Sequence, residues 1–426
     1  MSNSSWASLG REQINDSRSV RREKLRLKRA LVIHPILSFY AGGEYLCLIL
    51  CEALQEMGYH VSIACDLFNP SDIERIYGLG HVMDRCDHIQ IPEFRANPRF
   101  LTPLLRLSYA RHILQMFTDT DADLVFSTQS SSFVLPKRIF HFVYNAIDLY
   151  SYPPAAAPLR LHHPWEIRHA RLRDLFVDAL KEPAREVLRK SSKLVWKKRR
   201  EGQDWLFAIG SIVLTDIRKK GHANSSLAFP PCRVDFRPKF PKKRQVIQAA
   251  RIVPEKRLEL YLEIASRLPD YRFILVGKNP QKLRELYPGY SQRLLSRMPS
   301  NMTYVEALVR ERPELLEESK VYLYTGIEAG IGLAVVEAIA AGCIPFSPDG
   351  AGATDVLRAL GVGDVYLTAD EAAAKIRATL EKEAHQDEII GISQRAQKFS
   401  PEAFKKWVRE IVQPTDAKPT EGRVDC

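Results

Sequence analysis

Long apolar runs are absent from this sequence of 426 residues. The most apolar stretch, residues 30–54, is interrupted by residues that a lipid-facing helix would not tolerate: His34, Gly42, Gly43, Glu44 and Glu52. The first residues are rich in serine and then basic, without the apolar core of a signal peptide. The sequence therefore predicts no membrane-spanning helix and a cytoplasmic location.

Cysteine is also scarce, with seven residues and no C-x-x-C pair. This pattern argues against a disulfide scaffold and against a zinc ribbon. Cys47 and Cys51 share one helix face, which is typical of small buried side chains. We therefore expect free thiols in the core. The sequence contains no cluster of metal-ligating residues, so it predicts no metal site.

Acidic residues number 51 against 62 Lys and Arg, which leaves a formal net charge of +11. The excess is concentrated in residues 18–29 and 185–200. Such segments favour anionic partners: a nucleotide, an acidic lipid or nucleic acid. Because the second segment also contains apolar residues such as Trp196, it predicts either a peripheral helix on an acidic membrane surface or a solvated basic face. No RNA-binding pattern with interleaved aromatics occurs, so nucleic acid is the least favoured partner.

Two series of alternating strands and helices predict an α/β protein with parallel sheets. The proline-rich segment 228–244 separates the two series and is the best linker candidate. The sequence thus predicts two Rossmann-like βαβ domains facing across a cleft. The predicted parts are a disordered or peripheral basic tail at 1–29, a first domain at 30–235, a second domain at 236–398, a closing helix at 399–413 and a tail at 414–426.

The predicted elements follow from hydrophobic periodicity and from glycine and proline stops. The predicted strands are residues 31–37, 60–66, 122–127 and 138–144 in the first domain, and 245–252, 271–277, 302–307, 321–325, 344–347 and 364–369 in the second. The predicted helices are residues 45–57, 101–117, 258–267, 281–286, 312–318, 333–341, 371–383 and 401–412.

The segment 321–350 is the most informative part of the chain. It combines a buried type of strand, a turn with three glycines (Gly326, Gly330 and Gly332) and a helix that carries one carboxylate, Glu337. Free backbone N–H groups and the helix dipole at such a helix start bind phosphate. A carboxylate one turn into the helix suits a ribose diol, so the segment predicts a nucleoside-diphosphate ligand. The alternative is an ordinary βαβ unit in which Glu337 is a surface charge.

The sequence GIGLAVVE at residues 330–337 resembles the G-F-G-L-x-x-x-E core of the retaining glycosyltransferases of the GT-B group-one superfamily. The following residues resemble the E-A-x-A-x-G-x-P-V and G-G…E tail of that family. The resemblance implies that Gly330, Ile331, Gly332 and Leu333 hold the donor's diphosphate and that Glu337 binds its ribose. It also implies the GT-B fold, in which the C-terminal helix crosses back to the first domain.

One position departs from the family pattern. Where the family has the first Glu of its E-x7-E pair, this chain has Ala329, and the nearest carboxylate is Glu328. A small loop adjustment would let Glu328 reach the donor sugar as a catalytic residue. Alternatively, the sugar contact is lost or is supplied elsewhere.

The sequence ARIVPEK at residues 250–256 resembles the family's G-R-L-x-P-E-K segment. The resemblance assigns Arg251 and Lys256 to the leaving diphosphate, because two cations in a closed cleft stabilise its developing charge. It implies no metal and no cofactor, with the nucleoside-diphosphate sugar as co-substrate. The family usually has Gly where this chain has Ala250 and Arg257. Without the downstream motif, the two cations would be interpreted as a solvated surface pair.

Two further matches lie in the first domain. Gly42-Gly43-Glu44 resembles the G-G-x-E loop of the family, which implies that Gly42 and Gly43 approach the donor or the acceptor. His141 resembles the family's sugar-contacting His, although a lone His on an apolar strand is also typical of a satisfied core residue. Residues 229–235 resemble the start of the second domain in the family's mannosyltransferases, and residues 399–412 resemble its closing helix.

The resemblance implies transfer of a sugar from a nucleoside-diphosphate donor to an acceptor hydroxyl with retention of configuration. The nucleobase, the sugar and the acceptor are not specified by the sequence; a glycan or a lipid-linked acceptor fits the basic segment 185–200. One alternative is another GT-B enzyme, such as a sugar-nucleotide epimerase or a phosphorylase. The other is a non-catalytic relative that binds a nucleotide or nucleic acid.

Overall fold

The computed structural model describes residues 28–37, 42–91, 120–128, 139–144, 204–219, 221–279, 287, 289–328 and 330–413. The strands of this part of the chain form two separate sheets, one of seven strands and one of six. Every strand pair in both sheets is parallel. The predicted α/β architecture with two Rossmann-like units is therefore confirmed.

The first sheet has the order β3-β2-β1-β4-β5-β6-β7. Its elements in chain order are β1 (Arg29–Ile33), α1 (Gly42–Glu56), β2 (His60–Cys65), α2 (Pro70–Tyr77), α3 (Gly80–Met83), β3 (Cys86–Gln90), β4 (Leu124–Ser127), β5 (Ile139–Val143), β6 (Trp205–Ala208), α4 (Ser211–Lys219) and β7 (Ser225–Leu227). The inner strand β5 is buried along its whole length. Such burial is expected of a parallel sheet covered on both faces, and it explains the continuous apolar runs in the sequence.

The second sheet has the order β10-β9-β8-β11-β12-β13. Its elements are β8 (Lys243–Ala249), α5 (Leu258–Ser266), β9 (Arg272–Val276), α6 (Tyr290–Leu295), β10 (Met302–Val305), α7 (Glu314–Glu318), β11 (Ser319–Leu323), α8 (Leu333–Ala340), β12 (Ile344–Pro348), α9 (Ala353–Leu360), β13 (Asp364–Tyr366), α10 (Ala369–Glu381) and α11 (Gln386–Arg395). The strand order reverses between β8 and β11. In open parallel sheets, ligands bind outside the carboxyl ends of the strands at such a reversal.

The last helix, α12 (Pro401–Val412), crosses back to the first domain as predicted. Phe404 and Val408 belong to the core of the first domain. Trp407 packs edge-on against Phe207, with 4.8 Å between ring centroids. Lys405 pairs with Glu52 of α1 at 2.6 Å. The chain therefore begins and closes its first domain with segments that are far apart in sequence.

Several element boundaries differ from the prediction. The strand predicted over 31–37 ends at Ile33, just before His34-Pro35, where proline lacks the N–H that a sheet requires. The helix predicted over 45–57 begins at Gly42, so the glycine pair belongs to its first turn and not to a preceding loop. The strand predicted over 321–325 lies two residues earlier, since α7 ends at Glu318 and the strand begins at the next residue, Ser319.

The predicted helices at 101–117 and 281–286, the basic segment 185–200 and both predicted tails, apart from residues 28 and 29, lie outside the described residues. The six cysteines in the described part of the chain are free thiols, and five of them are buried, as predicted. Within those same ranges, no helix has both the length and the apolar character needed to cross a bilayer.

Candidate active site

A cavity of about 270 Å³ lies between the two domains, at the carboxyl ends of β8, β9 and β10 and at the start of α8. It brings together residues that the sequence analysis assigned to one site. From the second domain come Arg251, Lys256, Leu333 and Glu337, and from the first domain comes Gly42. A second cavity of about 630 Å³ adjoins it and shares Tyr45, Tyr77, Arg233 and Arg310 with it.

The start of α8 is built to accept an anion. Gly332 occupies the position before the helix with φ of 64°, a conformation that glycine adopts at little cost. Because glycine has no side chain, it cannot cap the first N–H groups of the helix. Leu333 and Ala334, the first two residues of α8, both line the cavity. Their N–H groups lack partners within the helix and carry the positive end of its dipole.

Glu337 lies one turn further along α8 and also lines the cavity. Burial raises the pKa of its carboxyl group to about 7, although Arg310 and Arg233 act in the opposite direction. At neutral pH the group therefore exists in both protonation states. Either state can bond to a sugar diol, since a carboxylate accepts from hydroxyl groups and a carboxylic acid both donates and accepts.

Lys256 ends a short 3-10 turn (Pro254–Lys256) that follows β8. Its Nζ donates to the carboxylate of Glu328, and the Tyr324 hydroxyl donates to the same carboxylate at 3.0 Å. Burial alone would raise the pKa of Glu328, but the charges of Lys256 and Arg251 outweigh it and hold this pKa below its usual value. Glu328 therefore stays ionised and pairs with the Lys256 ammonium at the edge of the cavity.

Glu328 does not line either of the two cavities, although its partner Lys256 does. The sequence left open whether Glu328 contacts the donor sugar or whether that contact is lost or supplied elsewhere. In its observed position the Glu328 side chain bonds to Lys256 and does not reach either cavity. Glu328 is part of the glycine turn, since it lies between Gly326 and Gly330 in the chain. Its carbonyl accepts from the N–H of Gly352 at 2.9 Å. The sugar-binding role of Glu328 stays a prediction.

Arg257 has a backbone conformation that is unusual for its residue type. Its φ is 48°, in the left-handed region that favours glycine, and its side chain is buried. The family pattern usually has Gly at this position, so the observed backbone explains that preference. The strain, of about 1–2 kcal/mol, is located directly beside the Lys256 that lines the cavity.

His141 lies on β5 with 0% of its surface exposed. Its Nε2 is 3.7 Å from Oδ2 of Asp204, and the side chain lines neither of the two cavities. This position favours the interpretation of His141 as a core residue. The predicted contact with a sugar stays a prediction.

The glycine pair allows close packing at the start of α1. A Cβ atom on Gly42 would overlap Cδ1 of Leu333, the first residue of α8. A Cβ atom on Gly43 would lie 3.2 Å from the Tyr144 hydroxyl. Neither glycine has a positive φ. Gly42 is therefore explained by close packing of α1 against the second domain, and Gly43 by close packing within the first domain, without a special turn conformation.

The remaining predicted residues form the glycine turn itself. Ile331 is buried in the core of the second domain. Gly330 lies against Ile209 of the first domain, since a Cβ atom there would be 3.5 Å from the Ile209 side chain. These residues shape the turn that leads into α8 without lining either cavity.

Several cavity residues were not found by sequence reasoning. Arg310 lies over the ring of Tyr77 at 4.9 Å, and Tyr77 stacks on Tyr45 at 5.8 Å, so this column joins the two domains. Arg310 follows β10, and ligands of such sheets bind at the carboxyl ends of the strands. Its position after a predicted strand could therefore have indicated Arg310 as a cavity residue. Tyr45 and Tyr77 carry no such signal, because their positions depend on how the domains meet.

A buried polar cluster lies behind the glycine pair. Nδ1 of His34 is 2.8 Å from Oγ1 of Thr128, and its Nε2 is 3.7 Å from Oε1 of Glu44. Burial would lower the pKa of His34, but Cys47 and Glu44 raise it to about 10. The acidic partners that raise this pKa also balance the charge of a protonated ring, so the cluster supplies no excess positive charge behind the start of α1.

Among the described ranges, no group of three or more His, Cys, Asp and Glu side chains has an arrangement that could hold a metal ion.

The family model described as glycosyl transferases group 1 matches residues 234–397, which correspond to the second domain. No curated protein sequence matches the chain significantly.

Solved structures are similar over most of the chain. WaaG, a glycosyltransferase involved in lipopolysaccharide biosynthesis, superposes with a TM-score of 0.61 at 12% identity, over 91% of this chain and 100% of WaaG. HepE from Anabaena, solved with UDP and glucose, gives 0.60 at 14% identity over 90% and 99% of the two chains. Sucrose-phosphate synthase from Thermosynechococcus elongatus gives 0.58 at 15% identity over 90% and 98%. At these identities the likeness establishes the fold alone.

Proposed function

We propose that this chain is a glycosyltransferase that transfers a sugar from a nucleoside-diphosphate donor to an acceptor hydroxyl with retention of configuration. The match of residues 234–397 to the glycosyl transferases group 1 model and the shared fold of the solved glycosyltransferase structures support this proposal. One observation carries the proposal. Arg251, Lys256, the start of α8 and Glu337 line a single cavity at the strand-order reversal of the second sheet.

The donor is proposed to lie along the carboxyl edge of the second sheet. Its diphosphate would be held by Arg251, Lys256 and the first N–H groups of α8, and its ribose by Glu337. The base would then extend toward the ends of β9 and β10, where Gly277 and Arg310 line the same cavity. That HepE was solved with UDP and with UDP-glucose supports a nucleoside-diphosphate sugar as the donor class.

In the proposed step, the bond between the sugar C1 and the β-phosphate oxygen breaks, and the acceptor oxygen bonds to C1. The acceptor's proton is transferred to an oxygen of the departing diphosphate, so that the atoms and charges balance. Charge builds on the diphosphate as the bond breaks. The guanidinium of Arg251 and the ammonium of Lys256 would stabilise this charge more strongly than the ground state, without a metal ion or another cofactor.

The acceptor is proposed to be a glycan or a lipid-linked sugar. The involvement of WaaG in lipopolysaccharide biosynthesis is consistent with this class. Attachment to an acidic membrane surface would depend on the basic residues 185–200, which lie outside the described part of the chain.

Nucleotide-dependent stabilisation tests the proposal. A thermal-shift screen compares GDP, UDP and their sugars. We expect the nucleotides of at least one base to raise the melting temperature, since a ligand at about 100 times its Kd stabilises the folded state by about 2.7 kcal/mol. Arg251→Ala should abolish most of this shift, because the variant lacks a diphosphate contact.

Arg297→Ala is the matched control, because Arg297 is an exposed residue of the second domain that lines neither cavity. A shift that persists in Arg251→Ala would contradict the assigned diphosphate site. Product analysis with a labelled donor would then distinguish transfer from epimerisation or phosphorolysis.

A further inference from the structure

A partly buried hydrogen-bonded pair joins the two domains outside the donor cavity. Ser211 is the first residue of α4, which lies between β6 and β7 of the first sheet. Asp355 is in the first turn of α9, which lies between β12 and β13 of the second sheet. The backbone N–H of Ser211 donates to Oδ2 of Asp355 at 2.6 Å, and its hydroxyl donates to Oδ1 at 2.7 Å.

The pair has the features of a strong contact. Both carboxylate oxygens of Asp355 accept from one residue, and hydrogen bonds to an ionised acceptor are about twice as strong as neutral ones. The carboxylate also caps the start of α4, where the helix dipole favours negative charge. Asp355 is only 9% exposed, whereas Ser211 is exposed, so the carboxylate side of the pair is the one shielded from water. In contrast, the ion pair between Arg75 and Glu311, which also joins the domains, is exposed.

The pair lies beside the glycine turn of the proposed donor site. Gly352, which precedes α9, donates its N–H to the carbonyl of Glu328 at 2.9 Å. Two residues before Ser211, the side chain of Ile209 packs against Gly330 of the glycine turn. The contact between Ser211 and Asp355 therefore holds the first domain directly against the turn that leads into α8.

We propose that Asp355 is a positioning residue for sugar transfer: its hydrogen bonds to Ser211 hold the first domain against the glycine turn and so keep the cleft closed. The inference rests on the proposed function, but it concerns residues that touch neither the diphosphate nor the ribose. The cleft must open to admit a donor and release a diphosphate. Both partners lie at helix ends, so breaking the pair leaves an N–H group, a hydroxyl and a carboxylate that water can solvate.

The pair predicts a specific division of kinetic effects. In the proposed site, the diphosphate and ribose contacts come from the second domain, so loss of the pair should leave nucleotide affinity within about twofold. The turnover number should fall, because the first domain no longer holds the acceptor in position against the donor sugar. A merely structural role would instead lower the melting temperature and leave the kcat of the folded fraction unchanged.

The experiment compares Asp355→Asn, Ser211→Ala and the double variant in the full chain. Asp355→Asn keeps the size but replaces one acceptor with a donor, and we expect kcat to fall by about 10- to 100-fold with nucleotide Kd nearly unchanged. Ser211→Ala keeps the backbone bond and should reduce kcat less, by about 3- to 10-fold. The double variant should be no worse than Asp355→Asn, because both changes remove one interaction.

Arg409→Ala is the control for an ion pair between distant parts of the chain. Arg409 pairs with Glu56 at 2.7 Å and lines neither cavity, and the variant should change kcat by less than about twofold because this pair is exposed. Unchanged kcat in Asp355→Asn, or additive losses in the double variant, would overturn the proposal. If the wild type transfers no sugar from any donor, the proposed function fails separately. Small-angle scattering then still tests the pair, since Asp355→Asn should be more extended than the wild type and an equal radius of gyration would overturn the inference.

Discussion

Glu337 lies in surroundings that disfavour its charge. Burial raises the pKa of this carboxyl group from its ordinary value of 4.5 to about 7, and the guanidinium groups of Arg310 and Arg233 only partly oppose this. The folded protein therefore binds a proton at Glu337 that the unfolded chain releases at lower pH. Stability due to this residue is highest below about pH 4.5 and falls as the pH rises toward 7.

Replacing Glu337 with Gln should remove this pH dependence. We expect Glu337→Gln to gain about 1–2 kcal/mol of unfolding free energy relative to the wild type at pH 8, and to gain almost nothing at pH 4. Urea denaturation of both proteins at pH 4, 6 and 8 measures the difference. A gain of equal size at all three pH values would mean that the pKa of Glu337 is not raised by folding.

Single residues of the site differ in how far the sequence could identify them. Arg251, Lys256 and Glu337 stand in recognisable motifs, and they line one cavity. The sequence assigned Glu328 to the donor sugar by its place beside the motif, and in the structure its half-buried carboxylate bonds to Lys256. A carboxylate that is partly removed from water is stabilised by such a positive partner. Arg310 belongs to no motif, so only the arrangement of the strands indicates its place in the cavity.

At the scale of elements, hydrophobic periodicity identified the central strands and the long amphipathic helices. The helix predicted over 401–412 has the observed boundaries, with Ser400 accepting from the N–H of Ala403 and Pro401 in the first turn. Helix α2 was not predicted, although Asn69-Pro70 is a helix-start signal and Asn69 accepts from the N–H of Ser71. Its apolar residues Ile73, Ile76 and Tyr77 have helical spacing, but the helix is only eight residues long, so the pattern covers little more than two turns.

Helix α12 should contribute much of the stability of the first domain. Phe404 is 4% exposed and packs against Phe142 and Trp407. Phe404→Ala is therefore expected to cost about 3–5 kcal/mol, the usual loss for a buried Phe. The exposed Lys406 on the same helix provides the control, and Lys406→Ala should stay within about 0.5 kcal/mol of the wild type.

Denaturant unfolding monitored by tryptophan fluorescence measures both variants, because Trp407 and Trp205 lie in the first domain. Nucleotide-dependent stabilisation of the second domain should persist in Phe404→Ala as long as that domain is folded. A loss for Phe404→Ala no larger than that for Lys406→Ala would show that α12 is only loosely attached.

At the scale of the whole molecule, the sequence predicted two βα domains but not how they meet. Contacts such as Gly42 with Leu333 and Ser211 with Asp355 join residues that are distant in the chain and have no shared motif. A tyrosine in either domain has the same local pattern whether it faces solvent or the other domain. The shape of the cleft therefore depends on side-chain packing that periodicity does not encode.

The charge balance of the closed cleft leads to a final prediction about metals. Arg251, Lys256 and the positive end of α8 converge on one cavity, and together they can offset the charge of a departing diphosphate. Sugar transfer should therefore proceed in excess EDTA at a rate within about twofold of that in Mg²⁺. In contrast, Lys256→Ala should reduce kcat by about 10²- to 10³-fold, the loss seen when one charge-stabilising group is removed from other enzymes. Initial rates with a labelled donor measure both effects. Activity that disappears in EDTA and returns with Mg²⁺ or Mn²⁺ would assign the neutralisation of the diphosphate to a metal ion and not to these side chains.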